Sequence, residues 1–152
     1  PGLLLALMDI RTITPSYSVA PQIEPADMED LVAAGFTTII NNRPDQEEAA
    51  QPNAAQMSEL AQVAGIEYVH LPMANGQPLG ENVVSDFRNL VLDPEQKILA
   101  HCRSGMRSSV IWALGAIAAG EVSVDEAVAK GVAAGIPLQN ARALLESAVP
   151  QA

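Results

Sequence analysis

Apolar residues along this chain follow two rhythms in turn. Short apolar runs, rich in β-branched residues and bounded by Pro, Gly or Asn, lie at Tyr17–Ala20, Phe36–Asn41, Ile66–Leu71 and Lys97–His101. These read as strands. Between them the apolar positions recur at helical spacing. Met28, Leu31 and Val32 follow Pro25; Met57, Leu60, Ala61 and Ala64 follow Pro52; Val83, Val84, Phe87, Leu90 and Val91 fall between Glu81 and Leu92. Gly35, Gly65 and the pair Asp93-Pro94 close these three helices, because a left-handed glycine or a proline cannot continue the turn. After His101 the pattern is helical to the end. A helix over 107–119 carries Val110, Ile111, Leu114, Ile117 and Ala118 and closes at Gly120; Ser123 with Glu126 forms a capping box for the next, which closes at Gly135. Pro137 opens the last, with Ala141, Leu144, Leu145 and Ala148 inward. The repeated Val-Ala-Ala-Gly at Val32 and Val132 is a helix-stop device and not a duplicated domain.

Strand and helix alternating three times predict an α/β fold: a central, mostly parallel sheet of about four strands, helices on both faces and a helical C-terminal part. Ligands in such sheets bind beyond the carboxyl ends of the strands. Three loops leave such ends: Asn42-Arg43, Met73-Ala74-Asn75 and the segment beginning at Cys102. They are expected to converge on one pocket. Glu47 and Glu48 read as an exposed polar connection.

Composition narrows the picture. Aromatic residues are 3% of the chain, so the core must be aliphatic. The net charge of −10 speaks against nucleic acid or an anionic membrane as partner. One cysteine permits no internal disulfide and fits a reducing, cytoplasmic compartment. The run Leu3–Leu7 is too short to span a bilayer. Pro1–Leu7 read as an appended remnant or the end of an upstream segment, leaving one domain over 8–152.

Chemistry concentrates after the last strand, in His101-Cys102-Arg103-Ser104-Gly105-Met106-Arg107-Ser108. Strand, short polar loop and helix start put loop amides and the positive helix end at one point. That environment favours a thiolate, the nucleophilic form of cysteine. Cys102 is therefore the expected nucleophile, accessible to reagents, rather than a core cysteine. Arg107 is the expected anion clamp, since its planar fork makes two parallel hydrogen bonds. Gly105 permits positive φ in the loop. Arg103, Ser104, Gly105, Met106 and Ser108 line the anion site, Ser108 with a hydroxyl for the sulfur or the bound group. His101 fixes the loop by hydrogen bonding. His101, Arg43 and Asn75 are pocket candidates, although Arg43 has Asp45 nearby as an alternative partner. His70 is a strand-end polar residue. His70, His101 and Cys102 match no zinc spacing, and no metal or cofactor is called for.

His-Cys, a short loop and Arg-Ser resemble the active-site loop shared by cysteine-based phosphatases and rhodanese sulfurtransferases. Four residues separate Cys102 from Arg107, which resembles the rhodanese loop; phosphatases have one more. Elsewhere, Asp9-Ile10-Arg11, the segment Ile39-Ile40-Asn41-Asn42-Arg43-Pro44-Asp45, and Tyr68-Val69-His70-Leu71-Pro72 resemble the beta-lactamase hydrolase-like family. The resemblance runs from about Met8 to the C-terminus. It implies a cysteine-phosphatase-like three-layer fold, often filed among sulfur transferases, and a functional link to sulfide-oxidising or metallo-beta-lactamase-like enzymes. Phosphatases of this fold also keep an Asp in the loop where this chain has Pro72-Met73-Ala74-Asn75-Gly76. The expected function is sulfur transfer through a Cys102 persulfide, with a small sulfur donor and a thiol or cyanide acceptor. The alternatives are a cysteine phosphatase working through phosphocysteine, and a binding module without turnover.

Overall fold

The computed structural model describes residues 8–80 and 82–151, so Pro1–Leu7, Glu81 and Ala152 lie outside the described residues. In chain order the elements are strands β1 (Arg11–Thr14) and β2 (Tyr17–Ala20), helix α1 (Met28–Ala33), β3 (Thr38–Asn41), α2 (Ala54–Ala64), β4 (Glu67–His70), α3 (Val83–Leu92), β5 (Ile98–His101), α4 (Met106–Ala118), α5 (Val124–Ala133) and α6 (Arg142–Glu146). A 3₁₀ turn over Pro25–Asp27 leads into α1, and another over Leu138–Ala141 leads into α6.

The sheet has five strands in the order β1-β2-β5-β3-β4. β2, β5, β3 and β4 are parallel, as the strand-helix alternation predicts, and β1 pairs antiparallel with β2. β1 is the strand that the apolar pattern does not announce. It buries only Ile13, so it has no hydrophobic alternation to read. Its place is fixed instead by pairing across the Pro15-Ser16 turn and by Arg11, whose Nη1 donates to the Ala134 carbonyl at 3.1 Å.

Successive residues of a strand point to opposite faces, and each face carries its own core. Ile39 and Leu99 pack with Leu31, Met57 and Ala61 from α1 and α2. Ile40, Ile98 and Ala100 pack with Ile111, Ile117, Ala127 and Leu145 from α4, α5 and α6. Helix α4 is buried along every residue from Ser108 to Ile117, which explains its apolar sequence on all sides. The capping box of Ser123 and Glu126 forms as read, and Asn53 caps α2, its Oδ1 accepting from Gln56 N at 2.8 Å. Val32, Ala118 and Leu144, expected inward, are exposed. α1 is only six residues long. The C-terminal segment spends its first turn as 3₁₀ helix, whose different pitch turns Leu138 and Leu145 inward and Leu144 out.

Candidate active site

β5 delivers Cys102 at its carboxyl end, between the ends of β2 and β3. The loop then turns sharply at Gly105, which has φ +96° and directly precedes α4. That left-handed conformation points the Gly105 amide back to Cys102 Sγ, at 3.1 Å. The amides of the first helical turn have no partner within the helix, so the sulfur lies at the positive end of α4. Ser109 locks the turn: its Oγ donates to the Gly105 carbonyl at 2.8 Å. Ser104 Oγ accepts the Met106 amide at 3.3 Å. Cys102 itself has no exposed surface. The expectation of an accessible thiol is corrected here: the sulfur is buried, with the Gly105 amide against it.

The three strand-end loops do converge, and they bond directly to one another. Asn42 is the hub. Its amide donates to the His101 carbonyl at 2.8 Å, its carbonyl accepts from Met73 N at 2.9 Å, and its Nδ2 donates to the Leu71 carbonyl at 3.0 Å. This leaves Oδ1 to accept the Ser108 hydroxyl at 2.9 Å. Ser108 therefore gives its proton to Asn42 and not to the sulfur, a second correction. Sequence reading missed Asn42 as a positioning residue. The doubled Asn41-Asn42 at a buried strand end was the available signal, since buried amides need partners. Below the loop, the buried Tyr17 hydroxyl donates to the Ser108 carbonyl at 2.7 Å. Burial, and then the charge of the Cys102 sulfur, push this phenol well above its usual range, so it stays a donor.

Arg107 comes to the site as expected, but already in company. Its Nη1 donates to Glu47 Oε2 and to the Met73 carbonyl, each at 2.8 Å, and its Nη2 donates to Glu47 Oε1 at 2.9 Å. A guanidinium has five N–H groups. Three are committed, and the two that remain, on Nε and Nη2, lie along one edge. The Glu47 hydrogen bond, and after it the nearby Cys102 sulfur, raise Arg107 against the lowering effect of burial. Glu47 in turn is pulled down to about 2, first by Arg107 and then by Arg43, against burial. It is a permanent carboxylate, not the exposed connector that its polar surroundings suggest.

Arg43 is a third correction. Its side chain is 2% exposed and is taken up by partners other than Asp45. Nε donates to Glu47 Oε1 at 2.8 Å, Nη1 to Gln22 Oε1 at 3.0 Å and Nη2 to Glu48 Oε1 at 2.8 Å. Arg103 is 66% exposed, with Nε 3.1 Å from the same Glu48 oxygen. An alternating row results: Arg107, Glu47, Arg43, Glu48, Arg103. Asn75 is exposed in the loop beyond Met73.

The two histidines support backbone. His70 Nε2 donates to the Arg43 carbonyl at 2.8 Å, and His101 Nδ1 faces the Cys102 carbonyl at 3.4 Å. His101 is wholly buried, with no partner at Nε2. Burial lowers it to about 4, so the ring is neutral beside the Cys102 carbonyl.

The loop and sheet place this chain among known proteins. A family model described as the beta-lactamase hydrolase-like protein, phosphatase-like domain, matches residues 9–119. The chain belongs to that family. A curated beta-lactamase hydrolase-like protein of Agrobacterium fabrum is 33% identical over 91% of this chain, which spans 32% of that protein's length. The chain is also similar to a solved Neisseria meningitidis protein provisionally described as a phosphatase: TM-score 0.81, 36% identity, covering 93% of this chain and 99% of that one. At 14% identity, PTPMT1, solved in complex with PI(5)P, shares the fold with TM-score 0.69 over 91% of this chain and 96% of its own. Among the described residues no helix is long and apolar enough to cross a membrane.

Proposed function

We propose that this domain is a cysteine-dependent phosphatase. The observation that carries the reading is the meeting of Cys102 Sγ with the Gly105 amide at 3.1 Å, at the start of a helix whose second residue is the clamped Arg107. The family's phosphatase-like description and the likeness to solved phosphatase folds favour it over sulfur transfer. In the first step the Cys102 thiolate attacks phosphorus: an S–P bond forms, and the ester P–O bond breaks with its electron pair on the leaving oxygen. In the second step water attacks the phosphocysteine, the P–S bond breaks, and phosphate and thiolate are released. The free edge of Arg107 and the first-turn amides of α4 bind the equatorial oxygens, whose charge they stabilise. Glu47, held ionised, cannot donate a proton to the leaving group. Asn75 is no acid either, so phenolic esters, whose leaving oxygens are stable anions, are the suited substrates.

Sulfur transfer is the second reading, favoured by one observation: only four residues separate Cys102 from Arg107. The ring of amides is thereby smaller, which suits a single terminal sulfur. Aryl-phosphate hydrolysis and thiosulfate-to-cyanide transfer, run side by side with the intact mass of the trapped enzyme, decide between them. The expected result is aryl-phosphate turnover abolished by Cys102→Ser, with one phosphoryl group on the trapped enzyme. Robust cyanide-dependent sulfur transfer with no aryl-phosphate hydrolysis would overturn the phosphatase reading.

A further inference from the structure

The row of charges beside the site holds three arginines and two glutamates, and its order matters. Glu48 Oε1 accepts from Arg43 Nη2 at 2.8 Å and lies 3.1 Å from Arg103 Nε. Arg43 spends three of its five N–H groups, on Nε, Nη1 and Nη2, on Glu47, Gln22 and Glu48, and its side chain is buried. Arg103 directly follows the nucleophile and is the arginine that faces solvent at the mouth, yet a carboxylate that is itself 49% exposed holds it. Summed over the row, three arginines and two glutamates leave an excess of a single positive charge, and Arg107 keeps a free edge toward the sulfur loop.

We propose that Glu48 is a specificity-determining residue that restricts the site to substrates with one anionic head on an otherwise uncharged body. A second anionic group, reaching past the head toward the mouth, meets the half-exposed Glu48 carboxylate and a neutralised Arg103. Like charges brought together in a partly desolvated mouth oppose binding. The net charge of −10 on the chain adds a long-range repulsion of the same sign. This inference rests on the phosphatase reading, because it assumes that a phosphoryl head occupies the Arg107 edge.

The test uses two probes, inorganic phosphate and tripolyphosphate, titrated calorimetrically at fixed ionic strength. Both are titrated into Cys102→Ser protein, which cannot turn them over, with and without Glu48→Gln. With Glu48 present, tripolyphosphate should bind no more tightly than phosphate. Glu48→Gln keeps the shape, releases Arg103, and should tighten tripolyphosphate about tenfold while moving phosphate by less than about twofold. Adding Arg103→Gln should reduce that gain, because the released cation adds to the relief of repulsion. An unchanged tripolyphosphate-to-phosphate ratio in Glu48→Gln overturns the role of Glu48 alone. Failure of phosphate to bind any of these proteins overturns the phosphatase reading together with it.

Discussion

Glu47 answers two arginines at once, and the loop around it is built to let it do so. Its own amide is held by Gln51 Oε1 at 3.1 Å, Gln51 Nε2 donates to the Pro44 carbonyl at 2.9 Å, and Asp45 Oδ1 accepts from Ala54 N at 2.9 Å. Gln46, immediately before it, has φ +67°. A side chain in that region costs roughly 1–3 kcal/mol, strain that the surrounding bonds must offset. Glu47→Gln should therefore lower kcat/KM by about 10–100-fold, since a charge-assisted bond is worth roughly 1.5–3 kcal/mol. Because Glu47 orients Arg107 without touching substrate, both kcat and KM should worsen. Steady-state kinetics on an aryl phosphate would show it, and a variant with wild-type constants would remove Glu47 from the site. Cys102 and Arg107 are legible in the sequence because one short loop holds both. Glu47 is not, because its partner Arg107 lies 60 positions away, and a pair of acids in a polar stretch looks like any solvated loop.

The strand–loop–helix unit of β5 and α4 is the element on which the chemistry turns, and Gly105 is its hinge. A Cβ there would meet Ile136, Val19 and Ala20 at 3.5–3.7 Å, which is ordinary contact. The cost of Gly105→Ala is thus conformational, roughly 1–2 kcal/mol for the left-handed region. Relief of that strain would swing the amide off Cys102 Sγ. The variant should stay folded by circular dichroism while losing activity by at least tenfold; equal activity would show that this amide does not hold the sulfur. Elements of this kind were readable, since strong β-branched runs and capped helices carry their own local signals. β1 was not: it is specified by its neighbour in the sheet and leaves no periodic trace. The last helix was legible but its phase was not, because the 3₁₀ turn before it turns Leu144 outward.

Across the whole molecule, the two buried or half-buried groups with lowered titration set its response to acid. His101 is neutral in the folded state down to about 4, whereas an unfolded histidine takes up a proton near 6.5. Between these values the unfolded state binds more protons, so stability falls as pH drops, by about 1.4 kcal/mol per pH unit for this one group. Glu47 behaves in the same direction at lower pH: its folded value of about 2 lies below that of an unfolded carboxylate, so its contribution is present above roughly 4.3 and is lost as pH falls toward 2. Urea midpoints followed by circular dichroism should decline from pH 6.5 to 4.5 in the wild type. His101→Gln, whatever its absolute stability, should flatten that slope; an equal slope would mean that the histidine is not the cause. The burial of α4 has one more consequence, an optical one. Trp112 is the chain's one tryptophan, 5% exposed, and sits on the same helix as Arg107. Its emission therefore comes from a single dry environment on the helix that carries Arg107, giving the protein an intrinsic fluorescent reporter of that helix without any added label.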